Sequence, residues 1–172
     1  MSSDRYVSSE RYVGTRAPLA GDEFRRACGR FATGVTVATV LDAKGAPHGL
    51  TASSFTSVSL HPPLVLLCLA ETATAISHFR AASYFGINVL AAGQQALSER
   101  FARKGHDRFQ GVEWQAGATG VPLLPGVLAA LECGVHRIVP MGDHDILVGE
   151  VVRVQVNEGD PLVYFASGYR EL

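Results

Sequence analysis

The segment from Gly49 to Leu69, GLTASSFTSVSLHPPLVLLCL, constrains the fold more than any other part of the chain. Its second half, Leu64 to Leu69, is apolar without alternation, which predicts a strand covered on both faces. The run is far too short to cross a bilayer, so it belongs inside a domain. Its first half, Gly49 to Ser59, is small and polar: Thr51, Ser53, Ser54, Thr56, Ser57 and Ser59 surround a single Phe55. Pro62-Pro63 separates the halves. Hydroxyls offer donors without charge, and small side chains let a ligand lie against the backbone. Two readings of the polar half stand: a cradle for a phosphate and a flat ring, or an edge strand or loop facing water.

The chain of 172 residues sets a prior of one domain, with enough length for a sizeable core. A formal net charge of −1 argues against a general nucleic-acid or membrane-surface binder. The densest basic stretch, Arg100 to Arg108, contains Asp107 and follows Glu99. The opening MSSDRYVSSERYVG lacks an apolar h-region, so no secretory signal is read there and a cytoplasmic setting is expected. Residues 1–19, with Tyr6 and Tyr12, read as a flexible leader ending near Pro18; residues 20–172 read as the domain. Cys28, Cys68 and Cys133 show no CxxC or Cys/His spacing and are expected to be buried, reduced thiols.

Asp22 is the expected cap of a helix running to about Arg30, with Phe24, Ala27, Cys28 and Phe31 on one apolar face. Gly34 to Leu41 is a β-branched strand, Asp42-Ala43-Lys44-Gly45 a turn, and the hydroxyl-rich segment the returning arm of the hairpin. Leu64 to Ala70 is a third strand. Thr72 is the expected cap of a short helix to about Arg80, with Ile76 and Phe79 inward. Tyr84 to Leu90 is a strand, and Gly93 opens a helix that turns Leu97 and Phe101 to one side. Residues 103–120 form a long loop with room for one short strand. Two long strands follow, Ala130 to Val139 and Asp145 to Val156, the latter with a possible bulge at Gly149. The last strand runs from Pro161 to Phe165. Hairpin-type turns between many strands predict a mainly antiparallel β-barrel with a few short helices.

No GxGxxG or GxxxxGK[ST] loop and no GxSxG elbow is present. The six histidines include no HxH or HExxH pair, so no metal site is expected. His144 follows Gly142-Asp143 and opens a strand, which puts it at a barrel rim: a ligand mouth, or simply an exposed turn. Ser77 and His78 can be the wet side of a helix. Asn88, inside an apolar strand, either bonds across the sheet or faces a polar ligand.

The order of these segments resembles the short flavin reductases, small NAD(P)H:flavin oxidoreductases that supply reduced flavin to two-component monooxygenases. The likeness runs from FRRACGRFATGVTVATVLDAKGAPHGLTASSFTSVSLHPPLVLLCL through ISHFRAASYFGINVL, QQALSERFA and DRFQGVEW to GDHDILVGEV and PLVYFASGYREL, about residues 22–172. The resemblance implies an FMN-binding split barrel, Greek-key-like, and a homodimer. It implies FMN, with FAD also possible, as the flavin, NADH or NADPH as hydride donor, and a flavin-dependent monooxygenase as partner, with no nucleic acid and no membrane.

By the same resemblance, Thr51, Ala52, Ser53 and Ser54 contact the flavin ring or ribityl chain, and Ser57 and Ser59 reach toward the phosphate. Cys68, Leu69 and Ala70 line the ring pocket, with Ser77, Phe79 and Asn88 as further contributors. Gln94, Ser98 and Phe101 fall near the phosphate, with Arg103 or Lys104 as its charge partner. His144 stands where the nicotinamide stacks, as the one catalytic candidate, and Tyr169 borders that pocket. Hydride transfer needs two rings held roughly 3–3.5 Å apart. The protein's task is to orient them, which accounts for a sequence without a catalytic triad. The alternatives are a flavin-binding electron carrier without nicotinamide activity and a pyridoxamine-phosphate-oxidase-like FMN enzyme.

Overall fold

The computed structural model describes residues 19–105 and 107–170. The expected leader therefore lies outside the described residues, apart from the exposed Leu19, and so does His106. Twelve strands and three helices follow one another: α1 (Gly21–Cys28), β1 (Thr33–Gly34), β2 (Thr36–Leu41), β3 (Pro47–Ala52), β4 (Thr56–Leu60), β5 (Pro63–Ala70), α2 (Ile76–Ala81), β6 (Tyr84–Val89), α3 (Gln95–Ala102), β7 (Gln115–Ala116), β8 (Pro122–Leu123), β9 (Ala129–Met141), β10 (His144–Val156), β11 (Val163–Phe165) and β12 (Gly168–Arg170). A short 3-10 turn, Ala92–Gln94, leads into α3.

Seven strands form one antiparallel sheet in the order β3-β2-β6-β9-β10-β5-β4. Its edges, β3 and β4, are consecutive in sequence. The chain between them carries Ser54, whose hydroxyl donates to the Cys68 carbonyl and accepts from the Cys68 N–H on β5. The sheet thereby curls on itself, and the expected mainly β, antiparallel barrel is the fold observed. Period-two alternation sorts the side chains. Ala38, Val40, Val65, Leu67, Leu69, Phe85, Ile87 and Leu147 fill the interior, with Phe79 of α2 closing one side. Val37, Leu90, Phe101, Phe109, Leu124 and Val127 form a second core outside the sheet, beneath α3 and the long loop.

Several local expectations change. Asp22 lies within the first turn of α1 rather than capping it; with Glu23 it complements the helix dipole there, and Ala20 occupies the cap. The expected apolar face stays open among the described residues: Phe24 on α1 is 57% exposed, and Phe31, past the end of the helix, 77%. Cys28 is exposed and Cys68 half-buried, so only Cys133 is the buried thiol expected, its pKa pushed up to about 12 by desolvation. Thr72 does not cap α2, which starts at Ile76. The apolar β5 is covered fully on one face only, at Val65, Leu67 and Leu69. The hydroxyl-rich segment is not one arm: it ends β3, turns at Ser53–Phe55, and restarts as edge strand β4.

Gly149 does mark a register shift between β10 and β9. A Cβ there would run into the Phe85 ring and lie 2.9 Å from the Cys133 Cβ, so a core aromatic occupies the space a side chain would need. The expected final strand is a hairpin, β11 and β12, turning through Ala166 and Ser167 at φ 48° and 61°. Among the described residues no helix is long and apolar enough to cross a membrane.

Candidate functional site

The last residues of β3 and β5 and the first of β10 meet at one end of the barrel, because these strands are antiparallel to their neighbours. His144 pairs in register with Ala70, and Ile146 with Cys68. A cleft of about 340 Å³ opens there. One wall is Leu50, Thr51, Ala52, Ser53 and Ser54; a second is Cys68, Leu69 and Ala70 with Thr72, Ala73 and Thr74 beyond them. The third is Phe101, Ala102, Lys104 and Arg108, from α3 and the loop after it. His144 stands at the mouth, its Nδ1 2.7 Å from Asp143 Oδ1. That hydrogen bond holds the exposed Asp143 carboxyl below its ordinary range.

Glycine sets the third wall. A Cβ on Gly49 would lie 2.8 Å from the Ala38 carbonyl and 2.9 Å from the Phe101 ring. Its absence lets Phe101 press α3 against β3. Thr51 then donates to the Ser98 carbonyl at 2.6 Å. The long loop is pinned as well: Phe109 stacks edge-on against Phe101 and Trp114, and the Arg100 guanidinium donates to the carbonyls of Arg108 and Gln110. Arg108 consequently points inward. Its Nη1 donates to the Gly49 carbonyl at 2.7 Å and its Nε to the Arg103 carbonyl at 2.8 Å. Among the described residues no carboxylate pairs with it. Desolvation lowers its pKa, so it is a cation partly removed from water with donors to spare.

Of the residues singled out by sequence, Thr51, Ala52, Ser53, Ser54, Cys68, Leu69, Ala70, Phe101, Lys104 and His144 come together around this cleft. The hydroxyls of Thr51 and Ser54 already donate within the protein, which leaves their lone pairs and the exposed Ser53 for a ligand. The rest lie elsewhere in the chain. Ser57 and Ser59 are on β4, beyond the turn. Ser77 is exposed on α2, and Phe79 is buried in the barrel core. Asn88 is fully buried, donating to the Val37 carbonyl and accepting from the Leu124 N–H; it ties loop to sheet. Gln94 bonds Ala91 and Pro125. Ser98 sits behind the cleft wall, its hydroxyl 2.8 Å from that of Tyr169. Arg103 is exposed and outside the lining. Arg108 was the residue sequence reasoning missed: it sits in the DRFQGVEW segment, one position before the aromatic that buries it.

The cleft fits the chemistry of a flavin phosphate. A phosphate suits the cations Arg108 and Lys104, and a flat ring suits small side chains and exposed backbone. The model of the flavin reductase like domain matches residues 28–172. The chain belongs to this family. Among its relatives is an FMN reductase (NADH) of Agrobacterium fabrum, 44% identical over 146 residues, covering 85% of this chain and 83% of that protein. The reductase component of a flavin-dependent trigonelline monooxygenase from Acinetobacter baylyi is 45% identical over 147 residues, covering 86% of this chain. The chain spans about half of that relative's length, 47%, as it does for some other curated relatives. An NADH:FAD oxidoreductase of Streptomyces globisporus, solved with NAD and FAD fragments, superposes with a TM-score of 0.83 at 39% identity, covering 91% of this flavin reductase-like chain and 97% of that one.

Proposed function

We propose that the chain is an NAD(P)H-dependent flavin reductase that moves hydride from NADH or NADPH to FMN or FAD and delivers the reduced flavin to a flavin-dependent monooxygenase. The observation that carries this reading is Arg108, a part-buried cation without a carboxylate partner among the described residues, facing a cleft of hydroxyls and small side chains. The bound flavin supplies the ring that accepts hydride. Arg108 and Lys104 hold its phosphate; Thr51 to Ser54 and Cys68 to Ala70 hold the rest. His144 orients the nicotinamide at the mouth. Relatives named as FMN, FAD and NADH-dependent reductases support the chemistry, and the trigonelline monooxygenase component supports the partner. Exposed Val152, Val154 and Val156 on β10, with Phe24 and Phe31, support a homodimer that covers them. Three free cysteines support a reducing, cytoplasmic setting.

The test is to mix the protein with NADH or NADPH and with FMN, FAD or riboflavin, and follow nicotinamide absorbance. Flavin-dependent loss of that absorbance is expected. A protein that binds flavin and leaves both nicotinamides unoxidised overturns the proposal.

A further inference from the structure

Away from the cleft, three segments bring metal-ligating groups together. Asp42 belongs to the β2–β3 turn, His48 to β3 and His78 to α2. One ligand atom from each lies within 4.8 Å of the other two, and all three side chains are half-buried. No local motif announces them, since the two histidines are thirty positions apart.

We infer that Asp42, His48 and His78 form a binding site for a divalent transition cation of the Zn²⁺ class. Three features carry this. The first is spacing. Asp42 Oδ2 lies 3.2 Å from His48 Nε2. Two ligands on one tetrahedral ion at ordinary Zn–N and Zn–O lengths stand about 3.3 Å apart. The second is the support behind the carboxylate. Asp42 Oδ1 accepts the N–H groups of Lys44 and Ala46, both at 2.8 Å. The turn thus fixes the carboxylate with Oδ2 facing the imidazoles, as outer hydrogen bonds do for ligating carboxylates. The third is reach. The rings of His48 and His78 lie one against the other, centroids 3.9 Å apart and planes 15° from parallel, so a turn of one ring about its side-chain torsions brings both lone pairs onto one ion.

Two nitrogens and one oxygen favour Zn²⁺, Co²⁺ or Ni²⁺ over Mg²⁺ or Ca²⁺, which prefer all-oxygen shells. Room for water to complete the shell is present. His78 lines a cavity of about 350 Å³ beside Asp42 and one of about 250 Å³ beside His48. A bound cation would clip the β2–β3 turn to α2. Both elements lead into walls of the cleft, β3 through Thr51 and α2 through the preceding Thr72 to Thr74. The site is independent of the flavin reading and is tested without activity.

Tag-free full-length protein, stripped with a chelator and dialysed, is titrated with Co²⁺ and then with Zn²⁺. Expected are one Co²⁺ per chain with a visible d–d spectrum, its displacement by Zn²⁺, and a melting temperature that rises with Zn²⁺. His78→Gln and Asp42→Asn should each weaken Zn²⁺ by at least about 100-fold, more than loss of outer support alone produces. His136→Gln, at an exposed position on β9, should leave the titration unchanged. Should His48→Gln fail to fold, His78→Gln at the helix surface still decides. Absence of a one-to-one complex, or Co²⁺ binding that survives both His78→Gln and Asp42→Asn, overturns the inference.

Discussion

Ser54 is hydrogen-bonded twice to the backbone of Cys68: its hydroxyl donates to the carbonyl at 3.1 Å and accepts from the N–H at 2.9 Å. One side chain thus takes the place of a strand partner where β5 would otherwise be left with open backbone at the cleft wall. Ser54→Ala removes both bonds and strands two part-buried backbone groups. The expected loss of stability is about 1–3 kcal/mol. Urea denaturation measures it, and the flavin KM should rise with it because the wall loosens. Unchanged stability would mean water replaces the hydroxyl at no cost.

Arg108 separates phosphate recognition from ring recognition. Arg108→Met keeps the stem that packs beneath Gly49 and removes the charge. A charge-assisted hydrogen bond contributes about 1.5–3 kcal/mol, so the FMN KM should rise roughly 10- to 100-fold. Riboflavin, which lacks the phosphate, should keep its KM. Steady-state rates with the two flavins check this, and an equal rise for both would assign Arg108 to the scaffold alone.

Much of this arrangement was legible in the residues. Alternation and turn signals set the strands, and Gly149 announced its own bulge because a core ring fills the space beside it. The small-residue segment announced one wall of the cleft. What was not legible depends on distance in sequence. Ser57 and Ser59 resemble Ser53 in type, but the turn at Ser53–Phe55 carries them onto an edge strand. The role of Asn88 depends on Leu124, thirty-six positions on, whose N–H donates to its side-chain oxygen. The hairpin at Ala166–Ser167 has neither Gly nor Asn at its left-handed positions, and Gly168, one place further on, does not mark where the chain reverses. Arg108 is aimed by Phe109 and Arg100, a contact between helix and loop that no periodicity encodes.

His144 tests positioning directly. It sits at the mouth beside Ala70, with its ring held by Asp143. His144→Ala should lower kcat/KM for the nicotinamide about 10- to 100-fold, the scale on which a misplaced reactant slows transfer. Flavin affinity, read from fluorescence quenching, should change little, and His144→Gln should restore part of the loss. Wild-type nicotinamide kinetics in His144→Ala would remove the role.

The neighbour of His144 sets the response to acid. Asp145 is 1% exposed, and Arg80 Nε donates to its Oδ2 at 2.6 Å while Oδ1 has no partner among the described residues. The Arg80 hydrogen bond, acting against burial, holds the carboxyl below its ordinary range. A depressed folded-state pKa gives stability that is present above the unfolded value, about 3.9, and lost as pH falls through the folded one. The wild-type protein should therefore lose this contribution only below about pH 4. Arg80→Met keeps an apolar stem and removes the donor. Burial then dominates and raises the Asp145 pKa, so the linkage changes sign: the contribution is present at low pH and lost as pH rises through the new folded value. Melting temperatures taken between about pH 4 and pH 7 should show the variant least stable at neutrality and recovering toward acid, while the wild type stays level over that range. Parallel profiles for the two proteins would show that Glu71 or solvent, rather than Asp145, is the partner that matters to Arg80.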